Sequence, residues 1–194
     1  LPPGARLGTS SLRRSCQLKN LRPDLVVEPL RGNVDTRIAR LRAGEFDAVA
    51  LAAAGLARLG RSGEIAETLP ADTCIPAVGQ GALALECRAD DDALLEVLSW
   101  CHDARTGAAT AAERAFLAAL DGGCRVPLGA HAETAADGRT TRITGFVGTP
   151  DGSRILRDTL EGTDPEALGA ALGRALLSRG AGEILAAAKE GTDR

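Results

Sequence analysis

The chain has 194 residues, 44 % of them hydrophobic and 25 % charged, enough for one large globular domain or two smaller ones. With no Met or Tyr, one Trp and three Phe, its core must be built from Ala, Leu, Val and Ile. A net charge of −3 and few aromatics argue against nucleic-acid binding, and neither a bilayer-length apolar run nor a charged-then-apolar signal segment is present.

The first third alternates strand and helix. Residues 5–9 predict a short strand and 10–21 a helix, N-capped by Ser10 or Ser11 and stopped before Pro23. Residues 25–30 predict a second strand. A helix over 33–44 carries Val34, Ile38 and Leu41 on one face, with Gly44 at its C-terminal end. The apolar run 47–53 predicts a third strand, covered on both faces, feeding a short helix at 54–60. This order predicts a parallel α/β layer with right-handed crossovers. Pro76, Gly79 and Gly81 then punctuate a loop, and 82–88 is expected to be a strand.

Helices are expected near 90–101 and 105–121. Three strands follow at 125–134, 139–148 and 153–160, turning at Asp137-Gly138 and Pro150-Asp151-Gly152. Helices at 165–178, opened by Asp164-Pro165, and near 181–189 complete a smaller α+β unit. The opening Leu1-Pro2-Pro3 carries no Met, so part of an N-terminus is expected to be missing.

Charge is unevenly spread. Residues 1–61 hold eleven Lys or Arg against five Asp or Glu, a balance of +6, while the remainder stands at −9. Ligands of parallel α/β sheets bind outside the carboxyl ends of the strands, and the arginines follow that rule. Arg13 and Arg14 open the helix after the first strand, Arg31 follows the second, Arg37 lies early in the next helix, and Arg58 sits on the helix after the third. Thr9, Ser10 and Ser11 add hydroxyls and free backbone N–H groups at a helix start that already favours anions. Arginine binds carboxylate or phosphate with a planar two-pronged contact. The pattern predicts an anion site, whereas Arg40 and Arg42 read as a solvated face.

Two motifs stay open on the residues alone. The stretch 76–87 fits neither GxxxxGK[ST] nor GxGxxG, and Gln80, between two glycines, belongs to a hinge or to a site. The five cysteines (Cys16, Cys74, Cys87, Cys101, Cys124) are scattered, without a CxxC pair, which argues against disulfides and zinc and points to a reducing compartment. Cys124 follows Gly122-Gly123 with no histidine placed as its base, so it reads as a loop thiol or as a covalent attachment point rather than a turnover nucleophile.

Together, GTSSLRR (8–14), LRPDL (21–25), LRGNVDTR (30–37), DAVALAAAGLARLG (47–60), IPAVGQGALALECR (75–88), AERAFLAALDGGCRVPLGA (112–130) and GTPDGS (148–153) resemble the porphobilinogen deaminase (hydroxymethylbilane synthase) family over nearly the whole chain. The resemblance implies a transferase of tetrapyrrole (haem and porphyrin) biosynthesis. It would add four porphobilinogen units, with loss of ammonia, to a dipyrromethane cofactor and release hydroxymethylbilane. Cys124 would anchor that cofactor by a thioether. Thr9, Ser10, Ser11, Arg13 and Arg14 would bind the cofactor, and Arg31, Arg37, Arg58 and Gln80 the substrate.

The family fold has three α/β domains, two of them like type II periplasmic binding proteins. Residues 1–75 would be the second domain, 76–98 a crossing segment returning to a mostly absent first domain, and 99–194 the third, cofactor-attachment domain with its three-stranded antiparallel sheet. The family's catalytic aspartate has no counterpart here, so no catalytic residue is assigned and the chain alone is expected to be incompetent. Apolar surface is expected to be exposed over 76–98. A cytoplasmic monomer is implied, with porphobilinogen and the growing polypyrrole as its partners, no metal, no nucleic acid and no membrane. The reading set against this one is a non-catalytic carboxylate- or phosphate-binding module of the periplasmic-receptor type, which would have no use for an anchored thiol.

Overall fold

The computed structural model describes residues 1–121 and 126–190. Two small sheets organise it. The first is parallel, with β1 (Arg6–Gly8) between β2 (Val26–Glu28) and β3 (Ala48–Val49). Helix α1 (Leu12–Leu21) follows β1, α2 (Val34–Arg42) follows β2 and α3 (Ala53–Arg58) follows β3. Each of the first two helices starts where its sequence provides a cap: Ser11 Oγ accepts from Arg14 N, and Asn33 Oδ1 accepts from Thr36 N. A single 3-10 turn at Ser62–Glu64 closes this part.

β3 is shorter than the apolar run predicts. It meets only β1, through the pairs Leu7–Ala48 and Gly8–Val49, and beyond them the chain leaves for α3. The expected strand over 82–88 is not formed. Among the described residues no strand pairs with it to supply a ladder, so its alternation ends with Leu83 78 % and Leu85 62 % exposed. Helix α4 (Asp92–Ser99) continues the open surface, leaving Leu94, Leu95, Val97 and the adjoining Trp100 exposed, in line with the exposure expected for this stretch.

The second sheet is antiparallel, β4 (Leu128–Thr134), β5 (Thr141–Gly148) and β6 (Ile155–Gly162) in that order. Helices α5 (Ala104–Ala119), α6 (Pro165–Ser178) and α7 (Ala181–Glu190) supply its core. Phe116, Ile143, Leu172 and Leu176 are fully buried there, and burying a side chain of this size stabilises by about 1.5–3 kcal/mol. α5 and α6 approach closely because Gly169 faces the Ala112 carbonyl, where a Cβ would collide. No helix among the described residues is long and apolar enough to cross a membrane.

The two sheet units meet through α1 and the irregular segment 75–80. Cys16, Ile75 and Phe146 form a small buried cluster with Ile155, and Asn20 Nδ2 donates to the Gly152 carbonyl at 2.9 Å. Gly129 on β4 has no room for a Cβ because the Pro76 carbonyl lies against it.

Candidate functional site

The carboxyl ends of β1, β2 and β3 define one edge of the parallel sheet, and the predicted residues gather on it. Thr9 follows β1 directly and is buried, its hydroxyl accepting from Ser11 N at 3.2 Å. Ser11 caps α1, while Ser10 is exposed and its hydroxyl makes no hydrogen bond among the described residues. Arg14, half-buried in the first turn of α1, donates from Nη1 to the Ala50 carbonyl just past β3, at 3.1 Å. Arg37 on α2 donates from Nε to the Gly32 carbonyl at 2.8 Å. Arg31 and Arg58 are exposed at the ends of the β2 loop and of α3.

Arg13 is placed differently. It is buried, and its guanidinium turns toward the junction, donating from Nη1 to the Ile75 carbonyl (2.5 Å) and from Nη2 to Gln80 Oε1 (3.0 Å). The structure therefore joins Arg13 to Gln80, two residues that the sequence treats separately. Gln80 Oε1 also accepts from Ala77 N. Cys124 lies outside the described residues.

The charges of this edge are unusual for the unit that carries them. Arg6, Arg22, Arg40, Arg42 and Arg61 each form an ion pair with a carboxylate. Arg13, Arg14, Arg31, Arg37 and Arg58 form none with any described carboxylate, and these are the five that the βα-end pattern singles out. Burial pulls the Arg13 and Arg14 guanidinium groups below their usual range. The Cys74 thiol partly offsets this in both, while the neighbouring positive charge, Arg14 for Arg13 and Arg37 for Arg14, adds to it. Both remain cations at neutral pH, because arginine does not deprotonate in proteins. The edge thus holds repelling, partly desolvated positive charges whose repulsion an incoming anion relieves. Burial pushes the Cys74 thiol up, against the opposing pull of Arg13 and Arg14.

Two polar residues that sequence reasoning missed complete the junction. Gln17, buried on α1, accepts from Ile75 N (2.8 Å) and donates to the Ile75 carbonyl (3.1 Å). Glu113, buried on α5, accepts from Gly79 N and Ala132 N. The signal for Glu113 was available: it is a lone acid on the helical stripe Ala109, Ala112, Phe116, Leu120 that packs in the core.

Residues 1–96 match the family model described as porphobilinogen deaminase, dipyromethane cofactor binding domain, and residues 108–178 match porphobilinogen deaminase, C-terminal domain. The chain belongs to the porphobilinogen deaminase family. It is 53 % identical over 186 residues to the porphobilinogen deaminase of Brevibacillus brevis, covering 96 % of this chain and 60 % of that protein. It is 50 % identical over 194 residues to that of Halalkalibacterium halodurans, covering 100 % and 62 %. For Geobacillus kaustophilus the figures are 49 % over 191 residues, 98 % and 61 %. The chain spans about three-fifths of the length of these curated relatives. The cofactor-binding description falls on the arginine-bearing unit, and Cys124 lies within the second match.

Proposed function

We propose that this chain is the greater part of a hydroxymethylbilane synthase, which joins four porphobilinogen molecules head to tail with loss of ammonia and releases the linear tetrapyrrole. The observation that carries the reading is the split among the arginines of the first unit: the five unpaired ones all lie on the helices or loops that follow the parallel strands, the Arg13 guanidinium turning to the junction. Porphobilinogen bears an acetate and a propionate, so each added unit brings two more carboxylates to be held.

A dipyrromethane group fits this edge for the same reason: its own carboxylates match unpaired guanidinium groups beside a helix N-terminus. Cys124 would attach it through sulfur, with Thr9, Ser10, Ser11, Arg13 and Arg14 around it. When bound, the group supplies a nucleophilic pyrrole α-carbon to which the chain is extended. Arg31, Arg37 and Arg58 then take the carboxylates of added units, and Gln80 stands at the junction. These side chains bind and orient anions and stabilise them in a partly desolvated setting. No acid or base for proton transfer is assigned among them.

The reading also divides the chain into an arginine-bearing domain at 1–75, a crossing segment at 76–98 and a cofactor-attachment domain at 99–194. The first of these would share the architecture of type II periplasmic binding proteins. A monomer acting in the cytoplasm is the form expected of such an enzyme.

The test is a comparison of two arginines in the full-length protein. Arg14→Leu removes an unpaired guanidinium from a charged hydrogen bond worth about 1.5–3 kcal/mol, so porphobilinogen consumption falls at least roughly tenfold. Arg40→Leu breaks the exposed pair with Glu45 and the stacking of the guanidinium on the Phe46 ring, and leaves turnover unchanged. Equal turnover in both variants would show that the rim does not hold the substrate's carboxylates.

A further inference from the structure

Residues 75–80 join the two sheet units without a helix or strand of their own, yet both sides of the segment are held. From α1, Gln17 bonds both backbone groups of Ile75, and Arg13 bonds the Ile75 carbonyl and Gln80. From α5, one carboxylate does the corresponding work. Glu113 Oε2 accepts from Gly79 N at 2.6 Å, while Oε1 accepts from Ala132 N on β4 at 2.8 Å. His131 Nδ1 stands 3.8 Å from Oε1.

Glu113 is 5 % exposed, a costly place for a charge. Burial raises its pKa, opposed by the two backbone N–H groups and by His131. A residue needed only for packing would be apolar here, as its neighbours Ala112 and Phe116 are. Two N–H groups arriving from different elements call for an acceptor at each end of one short side chain, and a carboxylate provides that where an amide does not.

We propose that Glu113 is a positioning residue that pins the 75–80 segment to α5 and β4, and thereby sets Arg13 and Gln80 relative to the part of the chain that carries Cys124. The proposal rests on the reading of the arginine edge as the porphobilinogen site. The Ile75 carbonyl and Gln80 Oε1, which accept from the Arg13 guanidinium, both lie on the pinned segment, so a displaced segment takes them with it. α5 leads within a few residues to Cys124, so Glu113 ties one end of the tethered chain's support to the charges that hold its carboxylates.

Amide exchange and kinetics test this separately. In Glu113→Ala both bonds are lost, and exchange at Gly79 and Gln80 rises by about tenfold or more, while amides of Ile143 and Phe146 in β5 are unchanged. Should that variant fail to fold, Glu113→Gln keeps the shape, loses one acceptor, and shows the same change at Gly79 or Ala132. Wild-type exchange at both amides overturns the pin whatever the protein's reaction. In the full-length protein, Glu113→Gln lowers kcat for porphobilinogen by about tenfold with KM little changed, and Glu113→Asp, which keeps both acceptor oxygens, recovers part of it. Wild-type kcat in both variants overturns the positioning role. A wild-type protein inert toward porphobilinogen would instead refute the functional reading, and the exchange result would still decide the pin.

Discussion

The two sheet units close their cores in different ways. In the C-terminal unit three helices give the antiparallel sheet one continuous core, running from Ala112 and Phe116 through Ile143 and Val147 to Leu172, Leu176 and Leu185. In the N-terminal unit the cluster under the parallel sheet is Ala5, Leu7 and Leu25 with partly buried neighbours, its three strands are two or three residues long, and the chain beyond it exposes Leu83, Leu85 and Trp100. The sequence of the unit with the continuous core includes Cys124, and the thin unit carries the unpaired arginines. Under the proposed function, which keeps one end of a growing chain fixed, this division is useful, since lightly packed elements are the ones that shift at low cost.

The contrast can be broken at its strongest point. Phe116→Ala empties the centre of the C-terminal core and destabilises by about 3–5 kcal/mol in urea titration, whereas Leu83→Ala changes stability by less than about 0.5 kcal/mol. Equal losses would mean that the 82–88 stretch is packed as firmly as the core.

Cysteine chemistry sharpens the same comparison. Cys16 is fully buried between the units, and burial, helped by Asp151, pushes its thiol up to about 12. Cys101 is exposed beside the open surface of α4. Iodoacetamide at pH 8 should label Cys101 within minutes and leave Cys16 unlabelled until the protein unfolds. Early labelling of Cys16 would show that the units separate readily.

The smallest effect is at the β5–β6 turn. Hydrogen bonds from the Thr149 hydroxyl and then from the Ser153 backbone N–H and hydroxyl hold Asp151 at about 2, below its ordinary 3.8. A depressed carboxylate contributes stability above its unfolded pKa and loses it as pH falls through the folded value. Asp151→Asn should therefore flatten the stability profile between about pH 4 and 2 and do little at pH 7. An unaltered acid limb would remove Asp151 from the account.

How much of this was legible in the sequence follows from how far each signal reaches. Helix caps act over three residues, so the Ser10–Ser11 pair and Asp164 marked the starts of their helices, Ser11 being the residue that caps the first. The turns at Gly138 and Gly152, both with positive φ, fixed the antiparallel hairpins for the same reason. The strand expected at 82–88 failed because alternation states a preference while pairing needs a neighbour, and β3 was overextended by the same logic.

At the site, βα-end placement found the unpaired arginines because the rule depends on chain order alone. It did not foresee that Arg13 faces Ile75 and Gln80, 62 and 67 residues away. Nor did it find Gln17 or Glu113, whose partners come from other elements.

The central claim is that the arginine edge serves a pyrrole chain tethered at Cys124. The most direct measurement is the denatured mass of the full-length, active protein, followed by peptide mapping of any increment. A covalent dipyrromethane on the Cys124 peptide is the result expected. Active protein whose Cys124 peptide has its unmodified mass would contradict the account.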